Sequence, residues 1–187
     1  IDMYAAQGDI SIENADVESL GDYYGDAFIN IFPAAGDLNI IDSDVVSLVE
    51  YDGHAQVSFD NFMEYDMYES PFGAIEIPYA TGGDINISGD SLVLADAGTL
   101  ELLPATAVIF MNAGGSINLN GGMIAAQEVL GEAGIAMLAK EDITSADGTT
   151  ITASSESGPV GVALLAGAMI DTQGQVSAAS LGNMAGI

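Results

Sequence analysis

Short stretches of alternating or wholly apolar residues run through the entire chain, separated by Gly, Asp, Asn or Pro. In "GGDINISGDSLVLAD", residues 82–96, two such stretches fit between three turns. Apolar–polar alternation over about four to six residues predicts short β-strands, each with one buried face. The apolar spacing of i, i+3, i+4 and i+7 that marks a helix is rare, and glycines interrupt most candidate windows. The pattern therefore predicts an all-β chain, with a helix as the alternative for a handful of segments such as residues 121–139.

The predicted strands are residues 9–13, 28–32, 37–41, 45–51, 55–59, 74–78, 84–88, 91–95, 99–103, 107–111, 116–120, 124–129, 134–139, 142–145, 149–154, 161–166 and 175–180.

One phrase, glycine followed by Asp or Ser and then two apolar residues around a polar one, recurs along the chain. It begins at Gly8, Gly36, Gly83 and Gly115, with a weaker form at Glu141, so its separations are 28, 47, 32 and 26 residues. The turns are not consistently the two-residue Asn-Gly or Asp-Gly type that closes antiparallel hairpins. Stacked coils of about 20–30 residues, some with insertions, explain this recurrence. We therefore predict a parallel β-helix, or β-solenoid, of about eight coils spaced about 4.8 Å apart.

Asparagine occupies the polar position of three of these phrases. Asn39, Asn86 and Asn118 each lie between two apolar residues. If the phrases stack, the three amides can hydrogen-bond along the axis as a ladder. The alternative is that they are ordinary exposed strand residues.

The two halves of the chain differ in composition. Residues 1–80 hold 12 of the 13 aromatic residues and 17 of the 28 acidic ones. We interpret residues 1–80 as an acidic, aromatic-rich β region of irregular coils or a cap, and residues 81–187 as regular solenoid coils. Residues 60–72 read as an insertion whose Phe62, Tyr65, Tyr68 and Phe72 are candidate contacts for a sugar or another subunit. A loop folded over the end of the core is the alternative.

Charge excludes several classes of function. The chain has a net charge of −27, with Lys140 as its single basic side chain. Binding to nucleic-acid phosphates or anionic lipid requires Lys and Arg, and phosphoryl-transfer sites normally use them as clamps. With no cysteine, disulfides and thiolate metal sites are also excluded. The longest apolar run, residues 158–170, is too short to span a membrane. Both ends of the sequence suggest processing, trimming or a piece of a longer chain.

The phrases "GGDINISGDSLVLADAGTLEL", "GGSINLNGGMIAAQ" and "EDITSADGTTITASS" resemble the repeats of filamentous-haemagglutinin-like adhesins. The resemblance covers about residues 81–180 and lies in the style of the repeat, with polar and glycine corners around short apolar strands. It implies a right-handed parallel β-helix in a large exported bacterial protein, used for adhesion or matrix building. The Asn-Pro-Asn signature of that family's secretion domain is absent from the chain.

Candidate chemistry is limited. The single histidine, His54, has no nucleophile motif around it, so a catalytic triad is not indicated. Carboxylates are concentrated in two segments, as hard cations such as Ca²⁺ prefer, but without EF-hand or calcium-roll spacing. The candidate Ca²⁺ ligands are Asp42, Asp44, Asp52, Asp60, Glu64 and Asp66. The alternative is that these are solvated acids in a salty medium, and no other cofactor is predicted.

The sequence thus favours a non-enzymatic, exported structural or adhesive β-solenoid, part of a cell-surface or extracellular matrix protein. The alternative is a subunit that self-associates end to end into an extracellular filament, tube or sheath, with Ca²⁺ as a candidate stabilising ion. The expected partners are therefore another copy, further repeats of the same chain, a glycan or a cell surface. A glycan-active β-helix enzyme is a third, less favoured reading, since paired carboxylates can hydrolyse neutral glycans.

Overall fold

The chain forms a parallel β-solenoid in a computed structural model. The structure describes residues 1–22, 25–50, 53–60, 62–70, 73–80, 82–98, 105–182 and 184–187, with only the backbone for 62–70 and 73–80. The described residues contain strands and turns but no helix, which confirms the all-β prediction. The helical alternative for residues 121–139 is wrong, because two strands, Met123–Glu128 and Glu132–Ala139, cover that segment.

Three parallel sheets, here called A, B and C, form the sides of the solenoid. Sheet A contains β1 (Asp2–Ala5), β4 (Ala27–Pro33), β7 (His54–Asp60), β12 (Thr106–Ala113), β15 (Glu132–Ala139), β18 (Val160–Ala166) and β21 (Ala185–Gly186). Sheet B contains β2 (Ile10–Glu13), β5 (Leu38–Ile41), β10 (Ile85–Ser88), β13 (Ile117–Asn120), β16 (Asp142–Ser145) and β19 (Met169–Thr172). Sheet C contains β3 (Asp16–Gly21), β6 (Asp44–Val49), β11 (Leu92–Ala97), β14 (Met123–Glu128), β17 (Thr150–Ser155) and β20 (Gln175–Ser180).

Each coil consists of one B strand, one C strand and one A strand in chain order. Five complete coils lie between β2 and β18, preceded by β1 and followed by β19 to β21. The expectation of about eight coils was therefore too high, because each coil uses more of the chain than the short strands suggested. Strands from residues 1–60 and from residues 85–186 pair within the same three sheets.

The repeated phrase marks the start of each B strand. Leu38, Ile85, Ile117 and Ile143 are direct partners on successive strands, in the register that the sequence repeat predicted. The longest separation, 47 residues, contains an antiparallel hairpin of β8 (Phe62–Ser70) and β9 (Gly73–Ala80). The hairpin leaves the solenoid after β7 and returns before β10, so the repeat continues in register across the insertion.

The core is a column of aliphatic side chains that stack on their equivalents in the next coil. Sheet B contributes branched ones, with Ile85, Ile87 and Ile117 almost fully buried. Sheet C contributes smaller ones, and Ala95, Ala126 and Ala153 form one continuous row at 0% exposure. The small residues of sheet C make room for the larger side chains of the other two sheets, which include the fully buried ring of Phe59 on sheet A.

Glycine is required at one position in the turn from β13 to β14. Gly122 has φ of +77°, a left-handed conformation that other residues rarely adopt. A Cβ atom at this position would overlap the backbone carbonyl oxygen of Ser91 in the preceding coil. Gly122 is therefore fixed both by its backbone conformation and by the close stacking of coils.

The last coil is much less covered than the ones before it. The residue on β19 that continues the isoleucine row, Ile170, is 47% exposed, whereas its partner Ile143 is 0% exposed. Leu165, Leu181 and Met184 are also exposed near this end. At the opposite end, Tyr4 and Leu20 are the most exposed apolar side chains. Both ends thus present strand edges with apolar residues beside them.

Candidate functional site: ladders of polar side chains along the corners

A ladder of carboxylates runs along the corner between sheet A and sheet B. Asp9 Oδ1 accepts a hydrogen bond from the backbone N–H of Asp37 at 2.9 Å. Asp37 Oδ1 accepts from the N–H of Asp84 at 2.8 Å, and Asp84 Oδ1 accepts from the N–H of Ser116 at 2.7 Å. Each side chain therefore satisfies a backbone donor of the next coil that the sheets do not use. The Asp of the repeated phrase thus binds successive coils together.

A second ladder, of amides, runs along the outer surface of sheet B. Asn86 Nδ2 donates to Asn39 Oδ1 at 3.0 Å, and Asn118 Nδ2 donates to Asn86 Oδ1 at 2.9 Å. Thr144 Oγ1 then donates to Asn118 Oδ1 at 3.0 Å and continues the row. The asparagine ladder predicted from the sequence is confirmed, and a threonine extends it by one coil.

Buried hydroxyl groups line the corner between sheet B and sheet C. Ser43 Oγ donates to the carbonyl of Ile41 at 2.7 Å and accepts from the N–H of Ala15 at 3.1 Å. Ser91 Oγ accepts from the N–H of Ser43 at 3.2 Å in the same way. Thr149 repeats the arrangement two coils later. These short polar side chains provide the hydrogen-bond partners that water would otherwise provide to the backbone groups of the tight corner.

The corner between sheet C and sheet A contains a buried carboxyl group. Glu128 is 6% exposed and accepts a hydrogen bond from the N–H of Gly131. Burial raises the pKa of Glu128, while hydrogen bonds from the backbone, that of Gly131 foremost, lower it. One coil later Ser155 holds this position and bonds the N–H of Gly158 at 2.9 Å. Either Glu or Ser can therefore occupy this corner, since both provide an oxygen that accepts a hydrogen bond from a backbone N–H of the turn.

Two other acidic groups sit in partly desolvated places on the outer surface. Burial raises the pKa of Asp60 to about 6, against the hydrogen bond from Asn112 Nδ2 at 3.2 Å, which lowers it. Burial also raises the pKa of Asp96. Asp96 lies with Glu128 along a shallow depression that Gln127 and Ser154 also line. Burial in the fold thus raises the pKa of three described acidic residues, Asp60, Asp96 and Glu128.

The candidate Ca²⁺ ligands fall on different parts of the fold. Asp42 and Asp44 flank the buried Ser43 at the B–C corner, and Asp42 Oδ1 accepts from the N–H of Asp90 at 3.1 Å. Asp60 is on sheet A, on another side of the solenoid. Glu64 and Asp66 lie on the backbone of β8, and Asp52 is outside the described residues. Among the described residues, no three His, Asp or Glu side chains converge in a way that could hold a metal ion.

The predicted aromatic contact residues belong to the hairpin. Phe62, Tyr65 and Tyr68 are on β8, with Tyr65 opposite Pro78 and Tyr68 opposite Ile75 on β9. Phe72 lies outside the described residues. The insertion predicted from the sequence is thus an extended β-hairpin over its described part, and its role as a contact surface stays a prediction.

His54 has a structural position at the start of β7. Its backbone N–H donates to Asp26 Oδ1 at 3.0 Å, which adds another link between a carboxylate and the next coil. Its side chain is exposed.

Sequence reasoning missed the Asp corner ladder and the Ser and Thr corner groups. The signal for the first was present, because Asp9, Asp37 and Asp84 occupy the same place in the repeated phrase. In the sequence analysis these aspartates counted only as surface charge. Each lies immediately before a strand, however, and from there its side chain can reach an unused backbone N–H.

No protein-family model matches the chain, and neither curated protein sequences nor solved structures gave a match. The parallel β-helix implied by the adhesin resemblance is present. Within the part of the chain that the structure describes, no helix is long and apolar enough to cross a membrane.

Proposed function

We propose that this chain is a non-enzymatic structural or adhesive β-solenoid of an exported protein that works at the cell surface or in the extracellular matrix. The observation that supports this most directly is how its polar side chains are used. In the Asp and Asn ladders, one coil is bonded to the next on two sides of the solenoid. Such axial bonding suits a rod that must resist pulling and unwinding.

The charge distribution supports the same proposal. With 28 acidic residues and one lysine, the surface of the chain is hydrated and repels anionic polymers and membranes. Salt at about 0.15 M screens the repulsion among these acids over distances beyond about 8 Å. A neutral glycan or a protein surface is therefore a more suitable adhesion partner than nucleic acid or anionic lipid.

The resemblance to filamentous-haemagglutinin-like repeats supports an adhesive role in particular. The shared features are polar or glycine corners and short apolar strands, as in "GGDINIS" and "GGSINLN". In this proposal the solenoid is the stalk or shaft, and the β8–β9 hairpin, which is inserted between β7 and β10, carries the contact residues Phe62, Tyr65 and Tyr68.

The test is binding and localisation together. Immunogold labelling of intact producing cells is expected to show the protein outside, and the purified chain on beads is expected to bind a neutral polysaccharide or the cell surface. A variant without residues 62–80 serves as the control, because the coils on both sides keep their register without the hairpin. Interior labelling would contradict the proposal, as would release of reducing sugar from neutral glycans by the purified chain.

A second candidate, a self-assembling subunit of an extracellular filament, tube or sheath, is favoured by the apolar side chains exposed on the first and last described coils. Strand edges with exposed apolar side chains pair readily with other strands. Ile170 and Tyr4 are such side chains at opposite ends. A contact between two different ends does not close on itself and so builds a filament.

Calcium remains a candidate stabilising ion in both readings. Asp42 and Asp44 are the pair of candidate ligands that the fold holds on one corner. Titration calorimetry with Ca²⁺ is expected to give a binding heat that disappears in the Asp42→Asn/Asp44→Asn variant. Equal heats from both proteins, or no heat from either, would show that these acids are only solvated.

A further inference from the structure

The outer face of sheet C is apolar over three neighbouring strands. Successive side chains of a strand point to opposite faces, and Val45, Val93 and Ile124 point into the core, so their neighbours point outwards. The apolar residues at these outward positions, here called the sheet C patch, are Val46 and Leu48 on β6, Leu92 and Leu94 on β11, and Met123 and Ala125 on β14. β3 pairs with β6 and β17 pairs with β14, so the patch lies within the sheet, with a strand on either side of it.

The patch departs from the pattern of the rest of the solenoid. In sheet B the outward positions of the same coils hold the amide ladder, and on β17 of sheet C they hold Thr150 and Thr152. In the patch, Leu92 and Leu94 are half-buried and Met123 is 37% exposed. Contiguous apolar side chains with polar ones around them mark an interaction surface.

A partly desolvated carboxylate lies beside the patch. Asp96 follows Leu94 on β11, with Leu48 opposite it on β6 and Gln127 opposite it on β14. Burial raises the pKa of Asp96, and within the described part of the chain no donor or cation contacts its carboxylate. Removing a carboxylate from water without a partner costs free energy, which a charge-assisted hydrogen bond from a bound cation offsets. Asp96 therefore suits a cationic side chain on whatever molecule covers the patch.

That cation has to come from a different protein. The single basic side chain of the chain, Lys140, follows β15 at the corner between sheets A and B, which is the corner opposite sheet C. Two copies that met through their patches would bring Asp44 and Asp96 of one copy towards those of the other, and these charges would repel. An anionic lipid surface would be repelled in the same way.

The size of the patch favours a short segment over a folded domain. Three strands about 4.8 Å apart span about 10 Å, and the two outward apolar residues of each strand lie about 7 Å apart. This footprint is much smaller than the roughly 800 Å² that each partner buries in a standard interface between folded proteins. A few apolar side chains and one cationic side chain are enough to cover it.

We propose that the sheet C patch and Asp96 bind a short polypeptide segment of another protein, one that carries apolar side chains next to an arginine. The apolar side chains cover Leu92, Leu94 and Met123, and the guanidinium pairs with Asp96. Arginine suits this position better than lysine, because its planar fork can donate to the Asp96 carboxylate and to the amide oxygen of Gln127 together. This surface is separate from the β8–β9 hairpin, so it goes beyond the function proposed above and does not depend on where the protein is located.

The test is fluorescence anisotropy of labelled synthetic peptides with the full 187-residue chain, in about 0.15 M salt. Three peptides of equal length are compared. The first consists of leucine, serine and arginine, the second has glutamine in place of arginine, and the third has serine in place of leucine. The first peptide is expected to bind, and each replacement is expected to weaken binding by at least about tenfold.

Variants of the apolar residues show where the peptide binds. Leu92→Thr/Leu94→Thr gives β11 the outward side chains that β17 has at Thr150 and Thr152, so the sheet can accommodate the change. This variant is expected to weaken binding of the first peptide by about tenfold. Val108→Thr, at an outward position of sheet A, is the matched control and is expected to leave binding unchanged.

A second pair of variants tests the role of the carboxylate. Asp96→Asn is expected to remove most of the preference for the arginine peptide over the glutamine peptide. Asp147→Asn removes the same charge from an exposed turn and is expected to keep that preference. Because the comparison of the three peptides uses the wild-type chain, the test does not depend on how well any variant folds.

Several results would overturn the proposal. One is that the first peptide does not bind, or binds equally well to Leu92→Thr/Leu94→Thr. Another is an equal loss in Asp96→Asn and Asp147→Asn, which would mean that only the net charge attracts the peptide. Phosphatidylcholine vesicles that bind the wild-type chain but not Leu92→Thr/Leu94→Thr would identify a lipid surface as the occupant instead. Dimers in sedimentation velocity that this variant abolishes would identify a second copy. Each readout uses purified protein, so a failure here leaves the cell-surface localisation test unaffected.

Discussion

Several acidic and amide residues in this chain act as acceptors for the next coil. Asp9, Asp37 and Asp84 bond backbone N–H groups, and Asn39 and Asn86 bond side-chain amides. Apart from the exposed bond of Asp9, these bonds are partly shielded from water, so each contributes more than a surface contact. The polar positions of the repeat are thus part of its stability as well as its solubility.

Asn86 is the residue whose loss should affect the amide ladder most. Asn86→Ala removes two bonds and leaves Asn39 Oδ1 and Asn118 Nδ2 without these partners, so we expect a loss of about 1–3 kcal/mol in the free energy of unfolding. Urea denaturation measures it. Asn120→Ala, an exposed asparagine on the neighbouring strand, should change stability by less than about 0.5 kcal/mol. Similar losses in both variants would mean that the ladder adds nothing.

Asp60 should make stability depend on pH. Burial raises its pKa to about 6 in the folded chain from 3.8, so the folded state holds this proton more tightly than the unfolded state. Stability is therefore lost as pH rises from about 3.8 through about 6, and Asp60→Asn should avoid that loss. Melting temperatures of the variant and the wild type should agree below about pH 3.8 and diverge up to about pH 7.

Asp147→Asn, at an exposed turn residue, controls for removing one negative charge from the whole molecule. A constant difference between Asp60→Asn and wild type at all pH values would rule out titration of Asp60 as the cause.

At the scale of the element, the sequence predicted most of the strands because a solenoid strand alternates cleanly. "QVSAAS" at 175–180 and "DITS" at 142–145 were predicted with their observed bounds. The predictions failed where alternation was hidden. β3 reads "DVESLG", with acids at its outward positions, and β19 reads "MIDT", which is too short and too polar to stand out.

The site was less predictable than the fold. The Asn ladder could be predicted because identical residues occupied identical places in the repeat. The bonds of Ser43 and Glu128 could not, because they depend on which corners exclude water, a property of the stacked coils rather than of any local pattern. For the same reason, density of acids along the chain did not indicate which of them would lie together.

The corners can be tested by comparing two glycines. Gly122→Ala places a Cβ against the Ser91 carbonyl at a left-handed backbone position, and we expect it to cost about 1–3 kcal/mol. Gly134→Ala, on the open outer surface of β15, meets no atom within 4 Å and should stabilise the strand by about 0.5–1 kcal/mol. Thermal unfolding of both variants measures this. Equal destabilisation would indicate that close stacking is not what selects Gly122.

At the scale of the whole molecule, the charges of the chain oppose folding through the mutual repulsion of a net charge of −27. The chain has one lysine to offset this repulsion, so screening by dissolved ions must do so. The folded rod holds these charges closer together than the unfolded chain does.

Salt should therefore stabilise the fold. Raising NaCl from about 0.01 M to about 1 M shortens the screening length from about 30 Å to about 3 Å, and the melting temperature should rise by at least about 2–4 °C. Choline chloride at equal ionic strength should give the same rise, because screening does not depend on the cation. A rise seen only with divalent salts would instead indicate specific ion binding.

The acid ladder also has a direction, which bears on the order in which the coils form. In each of its links the oxygen belongs to the earlier coil and the N–H to the later one, as in Asp9 with Asp37. While the first coils form from the N-terminus, the growing edge thus has at this corner a carboxylate, Asp9, Asp37 or Asp84, that water solvates well until the next coil arrives. Growth from the other end would expose backbone donors at the same corner instead. We therefore expect the first coils to form in order from the N-terminus, with each finished coil as the template for the one after it.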